Sequence, residues 1–302
     1  MKIVLIVNPR SGRGKASKGA KSLQAELIRR GHSVQIIEMN ACESKLLSLI
    51  TDSDRVVVVG GDGTVHHLLS TLAKTRTPMY HFGTGTANLI SKEFGMSKIP
   101  IRIADHLESA VESTCLTLPT CNGLPFLIMV SIGIDASVIH RFEESRSKWG
   151  GYRAYLFPVL GEIISPRPAR FVLEHPQTPY RGTGVLVIAN MSSYGGGFNP
   201  CPDASPSIER LEAVGIPCST SIGAGFSYGL LKLGRTHSEM LRQTAKSFRV
   251  TCEHEPICVQ VDGEKALSIP GLIDGKLHEG ESMEIEIGDK QIMIHAHLNA
   301  EN

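Results

Sequence analysis

The sequence predicts an α/β domain followed by a mainly antiparallel β domain, and the order of its patterns indicates this. Strand and helix patterns alternate through residues 1–118, which is typical of a parallel sheet covered by helices on both faces. Short apolar runs separated by turns then occupy residues 119–289, which favours antiparallel strands in a β-sandwich. We therefore place a domain boundary between residues 118 and 119.

The elements of the first domain follow from the spacing of apolar residues. Strands are expected at residues 3–7, 33–38, 55–59 and 79–82, and helices at residues 15–30, 44–50, 65–72 and 87–94. In the first helix Ala20, Leu23, Leu27 and Ile28 are expected to share one face, and Gly31 ends the helix. Four consecutive valines at 56–59 predict a strand that is buried on both faces.

The second domain is predicted to hold strands at residues 126–131, 171–174, 184–189, 248–252 and 257–261. Helical patterns cover residues 141–162 and 227–243. A last run at 283–297 alternates apolar and polar residues, which is typical of a strand that could close either domain.

Composition excludes several classes of protein. A chain of 302 residues with 41% hydrophobic residues is long enough for two cores. A net charge of +1 argues against a dedicated nucleic-acid binder, so no nucleic-acid partner is expected. The seven cysteines form no CxxC pair, which favours reduced thiols in a cytoplasmic protein. No apolar run approaches the roughly 20 residues of a transmembrane helix.

The motif GGDGT at residues 60–64 directly follows the valine strand. Its glycines let backbone N–H groups approach phosphate oxygens, and the helix that follows adds its positive N-terminal end. Asp62 would repel phosphate unless a metal ion intervenes, so the motif indicates a phosphate site that works with Mg²⁺. An ordinary strand-to-helix turn is the alternative.

Two further loops leave the same predicted sheet edge. Residues 8–15 (NPRSGRGK) lie in a stretch with six basic residues and no acidic residue before position 22, and they do not form a Walker A loop. Residues 83–88 (GTGTAN) offer Thr86 and Asn88 as hydrogen-bonding groups. The alternatives are a solvated basic helix start and a helix N-cap. Because the carboxyl ends of parallel strands share one edge, the three loops together predict a polyphosphate site.

These motifs occur in a recognisable order with three others: GIDA at 133–136, YGGG at 194–197 and VDGE at 261–264. The set resembles the diacylglycerol kinase catalytic-domain family, particularly its soluble bacterial lipid kinases, which are related to sphingosine and ceramide kinases. The resemblance implies a nucleotide-binding α/β domain with a parallel sheet like that of phosphofructokinases and NAD kinases, then a β-sandwich lipid domain. It also implies that residues 290–302 return to the first domain and that ATP binds between the domains.

The resemblance also implies roles for individual residues. Glu264 would be the base that activates the lipid hydroxyl, and Asp62 would join it in catalysis. The residues expected to bind ATP with Mg²⁺ are Asn8, Pro9, Arg10, Ser11, Gly12, Gly61, Asp62, Gly63, Thr64, Val65, His66, His67, Thr86 and Asn88. A hairpin turn is the alternative for residues 262–264. Asp135 either belongs to a water–metal network at the hinge or caps the helix that follows.

Departures from the family pattern concern the metal sites. His66 and His67 replace an Asn-Glu pair, and Leu89 replaces an aspartate. The loop at 202–211 lacks the usual Asp-Gly, so Glu209 becomes the candidate ligand for a structural metal, with Asp203 as a second choice. Arg210 could instead neutralise Glu209 in an exposed ion pair. We therefore predict that this structural metal site is absent or weakened.

The resulting hypothesis is an ATP- and Mg²⁺-dependent lipid kinase that phosphorylates a hydroxyl of diacylglycerol or a similar lipid, as a step in phospholipid biosynthesis. It would be cytoplasmic, reach its substrate at a membrane surface and be compatible with a homodimer. A basic-aromatic stretch could touch anionic head groups or be an ordinary solvated helix: Arg141, Arg146, Lys148, Trp149, Arg153, Tyr155. The alternatives are a catalytically silent nucleotide- or lipid-binding regulator and an NAD kinase-like enzyme, the latter disfavoured by the missing Asn-Glu.

Overall fold

A computed structural model describes residues 1–109, 113–145, 167–174, 179–195, 199–218, 220, 223 and 240–296, with the side chains of residues 143–145 excepted. The chain forms two compact units. The first comprises Met1–Leu118 together with Lys290–Asn302, and the second comprises Pro119–Asp289. Among the described residues, no helix has the length and apolar character needed to cross a membrane.

The first unit alternates strands and helices. Its strands are β1 (Lys2–Val7), β2 (Ser33–Glu38), β3 (Arg55–Gly60) and β4 (Met79–Gly83). Its helices are α1 (Lys15–Arg29), α2 (Glu43–Thr51), α3 (Asp62–Leu72), α4 (Leu89–Glu93) and α5 (Pro100–Glu108), and a 3₁₀ turn at Ser11–Gly14 precedes α1.

The strands of this unit form a parallel sheet in the order β2-β1-β3-β4. Each of the four valines of β3 is fully buried, as expected for a central strand covered on both faces. All four strands run in the same direction, so the loops after β1, β3 and β4 leave from one edge. The predicted α/β class is confirmed for this unit.

The C-terminal segment pairs with this sheet. Ile294, near the end of the last strand, lies in parallel register with Met79 of β4. His106 of α5 and His295 each place Nε2 at 3.0 Å from the other's carbonyl oxygen, and their rings meet edge-on. These reciprocal hydrogen bonds fix the returning segment against α5.

The second unit is antiparallel. It contains β6 (Leu124–Pro125), β7 (Met129–Ile132), α6 (Ile134–Ser145), β8 (Ala169–Glu174), β9 (Tyr180–Ala189), β10 (Leu211–Pro217), β11 (Leu241–Ala245), β12 (Ser247–Cys252), β13 (Ile257–Val261), β14 (Glu264–Lys265) and β15 (Lys276–Leu277). Strands β5 (Thr114–Cys121) and β16 (Ser282–Ile294) run from one unit into the other.

The strand pairs of the second unit explain its core. Neighbouring strands follow the order β14-β13-β7-β9-β8-β12-β16, and β10 pairs with β9 and β11. Alternating residues of these strands point inward, where Phe126, Phe171 and Phe248 pack with aliphatic side chains. The predicted antiparallel β class is confirmed for this unit.

Several element boundaries differ from the sequence-based expectation. Helix α3 begins at Asp62 rather than at residue 65, so Gly63 and Thr64 lie in its first turn. Helix α4 begins only at Leu89, because Asn88 has φ +49° and interrupts any helix that starts at residue 87. Helix α5 was not predicted, although Pro100 at its start and its buried Ile103 and Leu107 are readable signals.

Two predicted helices of the second unit lie largely outside the described residues. Residues 227–239 of the predicted helix at 227–243 are among these, and its end is wrong, because residues 241–243 belong to β11 with an alternating burial pattern. The helix predicted at 141–162 is described only as far as residue 145, and it begins earlier, at Ile134. Strand β10 was not predicted.

Candidate active site

The three glycine-rich loops of the first unit meet at one edge of its sheet. The side chain of Asn8 donates a hydrogen bond to Oγ1 of Thr64 at 3.1 Å, which joins the first loop to the second. Ser11 Oγ lies 3.1 Å from Thr84 Oγ1, which joins the first loop to the third. The structure therefore brings together the segments that the sequence singled out.

Glycine is required where these loops touch. A Cβ on Gly85 would lie 2.8 Å from Cα of Gly61. Gly12 has φ +60°, and a Cβ there would lie 2.4 Å from the carbonyl oxygen of Thr84. Side chains at these positions would force the loops apart, so the glycines allow backbone to pack against backbone.

The second loop presents the N-terminus of α3. Gly61 is the N-cap residue, and Asp62 and Gly63 begin the helix. The first N–H groups of an α-helix have no partner within the helix, and its dipole favours an anion at this end. The first turn of α3 therefore has the properties of a phosphate site, and α3, with 11 residues, is long enough for its dipole to contribute.

The side chain of Asp62 forms a hydrogen bond with the N-terminus of a neighbouring helix. Its Oδ1 accepts a hydrogen bond from the backbone N–H of Ile90, in the first turn of α4, at 3.1 Å. An aspartate at a helix N-terminus satisfies an unpaired donor. Asp62, which the sequence predicted to be catalytic, thus also joins the second loop to α4, the helix that follows the third loop.

His81 lies beneath the loops. It is fully buried, its Nε2 donates to the carbonyl of Gly60 at 3.3 Å, and its Nδ1 lies 3.0 Å from Oγ of Ser91. Burial lowers the pKa of this imidazole, and the nearby carboxylate of Asp62 acts in the opposite direction. His81 is therefore neutral at pH 7, and its hydrogen bond to Gly60 supports the start of the second loop. The sequence analysis missed it, although a histidine inside an apolar strand is a visible signal.

Asn88 shapes the third loop from inside. It is buried, its Oδ1 accepts from the N–H of Gly85 at 2.8 Å, and its Nδ2 donates to the carbonyl of Gly85 at 2.8 Å. The side chain is thus occupied by its own loop. Thr86, at the tip of that loop, is exposed.

The predicted nucleotide-binding residues differ in how accessible their side chains are. Pro9, Arg10, Thr86 and His67 are exposed. Asn8, Ser11, Gly12, Gly61, Asp62, Gly63 and His66 are half-buried. Val65 is fully buried in the core and Thr64 nearly so, so a ligand cannot reach the side chain of Val65.

Residues 262–263 form a tight hairpin turn in the second unit. Asp262 and Gly263 have φ of +54° and +82°, and they connect β13 to β14, where Glu264 pairs with Val261. This backbone is that of a two-residue hairpin loop. The turn interpretation of the sequence is therefore realised, and the turn fixes Glu264 at the start of β14.

The carboxylate of Asp262 is the anchor of this turn. It is buried and accepts backbone N–H groups from Leu127 at 3.0 Å, Ile128 at 2.7 Å and Met129 at 3.1 Å. Backbone donors thus satisfy both oxygens of this buried carboxylate. Asp262 thus holds the turn against the segment that leads into β7, a role that the sequence analysis did not assign.

Asp135 is connected to the same turn through Gln260. The carboxylate of Asp135 accepts hydrogen bonds from the hydroxyls of Ser131 and Tyr194 and, at 3.4 Å, from Nε2 of Gln260. Oε1 of Gln260 accepts the N–H of Gly263 at 2.7 Å. The helix-cap alternative requires backbone partners for Asp135, whereas these partners are side-chain groups.

The predicted metal ligand Glu209 lies in an ion pair at the surface. Its side chain is 62% exposed and pairs with Lys246 at 3.3 Å, rather than with Arg210. Among the described residues, no group of three or more His, Cys, Asp or Glu side chains is placed to hold a metal ion. Glu209 therefore points to solvent in an exposed ion pair.

A different carboxylate from the same part of the chain is buried. Glu212 is 1% exposed, and it accepts the N–H of Asp203 at 2.9 Å and a guanidinium N–H of Arg242 at 2.9 Å. Burial raises the pKa of Glu212, and the charge of Arg242 opposes the rise. Because a guanidinium already occupies this carboxylate, the residues present do not fit the structural metal that the resemblance implied.

Comparison with known proteins identifies the class. Residues 2–118 match the diacylglycerol kinase catalytic domain, and residues 128–278 match the YegS C-terminal NAD kinase beta sandwich-like domain. A diacylglycerol kinase of Mycobacterium tuberculosis (strain CDC 1551 / Oshkosh) is 30% identical over 289 residues, which cover 90% of this chain and 91% of that protein. The chain belongs to the diacylglycerol kinase catalytic-domain family and is a lipid kinase by class.

Solved structures agree with the fold. The crystal structure of a diacylglycerol kinase from Bacillus anthracis str. Sterne matches with a TM-score of 0.66, covering 98% of this chain and 97% of that chain at 19% identity. At this identity the likeness concerns the fold alone. The family resemblance and the two-part fold class predicted from the sequence are confirmed.

Proposed function

We propose that this protein transfers the γ-phosphoryl group of ATP to a hydroxyl of diacylglycerol or a similar amphiphilic lipid. The observation that carries the proposal is the convergence of three glycine-rich loops on the first turn of α3, where Gly61 and Gly85 allow close backbone approach. The M. tuberculosis relative, which matches over nine-tenths of this chain, is named for the same reaction.

The nucleotide is proposed to bind with its phosphates at this loop edge. Backbone N–H groups of Gly61 to Gly63 would face phosphate oxygens, and the exposed Arg10 would add a positive charge. Ser11, Thr84 and Thr86 are hydroxyl-bearing residues there that solvent reaches. Mg²⁺ bound to the nucleotide would neutralise phosphate charge during transfer.

Val65, Asn88 and Asp62 enter this proposal as positioning residues. Val65 anchors α3 in the core, Asn88 closes the third loop onto Gly85, and Asp62 holds the first turn of α4. None of these contacts requires the side chain to touch ATP. Their loss would displace the loops and weaken nucleotide binding indirectly.

Glu264 is proposed as the general base. A hydroxyl is a poor nucleophile, and a carboxylate within hydrogen-bond reach can accept its proton as the bond to phosphorus forms. The hairpin turn is held from two sides, by Asp262 and by Gln260, so the backbone at Glu264 is fixed. Such preorganisation is what a catalytic carboxylate needs.

The lipid must be reached from the membrane surface, so we propose a cytoplasmic protein that associates peripherally with the bilayer. Of the basic-aromatic stretch predicted to contact head groups, only Arg141 lies within the described residues, and it is half-buried in α6. The other members, at positions 146, 148, 149, 153 and 155, lie outside the described residues. Residues 196–197 of the YGGG motif also lie outside the described residues.

Incubation with γ-labelled ATP and Mg²⁺ tests the function. Parallel reactions contain diacylglycerol, ceramide, sphingosine or monoacylglycerol in mixed micelles, and one contains NAD without lipid. We expect label in the organic phase with diacylglycerol or another hydroxyl lipid. Labelled NADP would replace the proposal with an NAD kinase, and ATP binding without any transfer would replace it with a silent regulator.

A further inference from the structure

A cluster around the buried Glu212 in the second unit joins the segment before β10 to strand β11, and its other two charged side chains are partly exposed, Arg242 at 32% and Asp203 at 64%. The guanidinium of Arg242 lies 2.9 Å from Oε1 of Glu212, 3.6 Å from Oδ2 of Asp203 and 3.3 Å from the carbonyl oxygen of Pro200. The other carboxylate oxygen of Glu212 accepts the N–H of Asp203 at 2.9 Å. The guanidinium of Arg242 thus contacts oxygen atoms of three residues in the segment 200–212.

Strand register explains how the pair forms. Strands β10 and β11 are antiparallel, with Glu212 opposite Thr244 and Val214 opposite Arg242. Glu212 and Arg242 are therefore diagonal neighbours on one face of the ladder, a distance that a long arginine side chain spans. Cys201 and Ala204 are buried as well, so this segment packs into the protein in addition to its contact with Arg242.

We propose that the guanidinium of Arg242 serves as a built-in structural cation that holds residues 200–212 without a metal ion. Two carboxylates and a carbonyl are a donor set of the type that hard divalent cations bind. Here Arg242 donates hydrogen bonds to the carboxylate of Glu212 and the carbonyl of Pro200 and forms an ion pair with Asp203, and its charge compensates the buried Glu212. The segment then needs no divalent cation for its structure.

A second ion pair in the same region provides a matched control. Lys246 pairs with Glu209 at 3.3 Å, but the side chains are 74% and 62% exposed. Exposed pairs contribute little to stability, whereas removing one partner of a buried pair leaves an uncompensated charge. The Arg242 side chain is 32% exposed but its partner Glu212 is only 1% exposed, so Arg242→Ala leaves a buried carboxylate uncompensated. Lys246→Ala removes the same charge from a pair in which both side chains are exposed.

Thermal unfolding of the full chain without nucleotide tests the proposal, with EDTA or with millimolar Mg²⁺ or Ca²⁺. The parent protein is expected to show the same Tm in all three conditions. Arg242→Ala should melt lower in EDTA, and Ca²⁺ or Mg²⁺ should raise its Tm by about 3 °C, because the freed oxygens of Glu212, Asp203 and Pro200 become ligands. Lys246→Ala should match the parent.

Two results would overturn the proposal. The first is a parent protein whose Tm falls in EDTA and recovers with Mg²⁺, since a metal would then hold the segment beside Arg242. The second is an Arg242→Ala variant that responds to cations no more than Lys246→Ala does. If Arg242→Ala does not fold, the parent measurement in EDTA and Mg²⁺ still decides between a guanidinium and a metal.

Discussion

Gly61 and Gly85 lie so close together that a Cβ on Gly85 would press against Gly61, at 2.8 Å from its Cα. A Cβ on Gly61 would lie 3.4 Å from Cα of Gly85, which is an ordinary contact distance. The two loops are thus packed backbone to backbone beside the first turn of α3. In the proposed nucleotide site, loop packing and phosphate access would depend on the same missing side chains.

Replacing Gly61 by valine should abolish ATP binding while the fold persists. The Cβ itself would only touch Gly85, but the branched γ-carbons would fill the space where a phosphate approaches the start of α3. Gly61 has φ −95°, which valine adopts, so backbone strain is not expected. Calorimetry with ATP checks binding, and far-ultraviolet circular dichroism checks the fold. A folded variant with parental ATP affinity would remove Gly61 from the nucleotide site.

Replacing Asp262 by alanine should destabilise the protein by about 3–5 kcal/mol. Three buried backbone N–H groups, of Leu127, Ile128 and Met129, would lose their acceptor, and alanine is strained at φ +54°. Urea unfolding at neutral pH measures this change.

The matched variant is Asp262→Asn. Asparagine tolerates the left-handed conformation and keeps one oxygen for the N–H groups of Ile128 and Met129, so its effect should be about half as large or less. Equal losses for both variants would show that the carboxylate oxygens do not stabilise the turn through these hydrogen bonds.

Stability should fall as the pH is lowered from 7 to 5, and His81 should contribute to this fall. Burial lowers the pKa of His81 in the folded protein. Below about pH 6.5 the unfolded chain therefore binds a proton at His81 that the folded chain does not bind, and the folded state loses stability. The contribution is at most about 1.4 kcal/mol per pH unit for one proton. His81→Gln should flatten the profile between pH 7 and 5.

His254→Gln is the control for this profile, because His254 is an exposed histidine of the second unit. Chemical denaturation at several pH values gives the slopes for the parent and both variants. A His81→Gln profile as steep as that of the parent would mean that another group causes the acid sensitivity.

The strands around the candidate site were predictable because local patterns determine them. The valines at 56–59 are buried on both faces, and the motifs at strand ends share an edge as parallel pairing requires. The start of α3 was less predictable, since two glycines of the GGDGT motif suggested a loop where Asp62 already begins the helix.

Long-range partners could not be predicted. Glu212 and Arg242 are 30 residues apart in the sequence, and only the register of β10 with β11 brings them together. The contact of Asn88 with its own loop was not predicted either, because it depends on a left-handed backbone that turns the side chain back onto Gly85. Gln260 sits in an apolar strand, and its link to Asp135 depends on β13 pairing with β7.

The most direct test of the proposed mechanism compares the parent protein with Glu264→Gln. The amide keeps the shape of the side chain and removes its basicity, so turnover on the lipid that the parent phosphorylates should fall by roughly 10²–10⁴-fold. ATP affinity should remain at the parental value, because the nucleotide loops are untouched. Glu255→Gln, which changes an exposed glutamate just before β13, should keep parental turnover.

The measurement is the initial rate of phosphate transfer from labelled ATP to that lipid, with ATP affinity determined by calorimetry on the same preparations. A large loss of rate at unchanged ATP affinity, in Glu264→Gln and not in Glu255→Gln, is the predicted result. A Glu264→Gln variant that transfers phosphate at the parental rate would contradict the account and leave Glu264 as a residue of the hairpin alone.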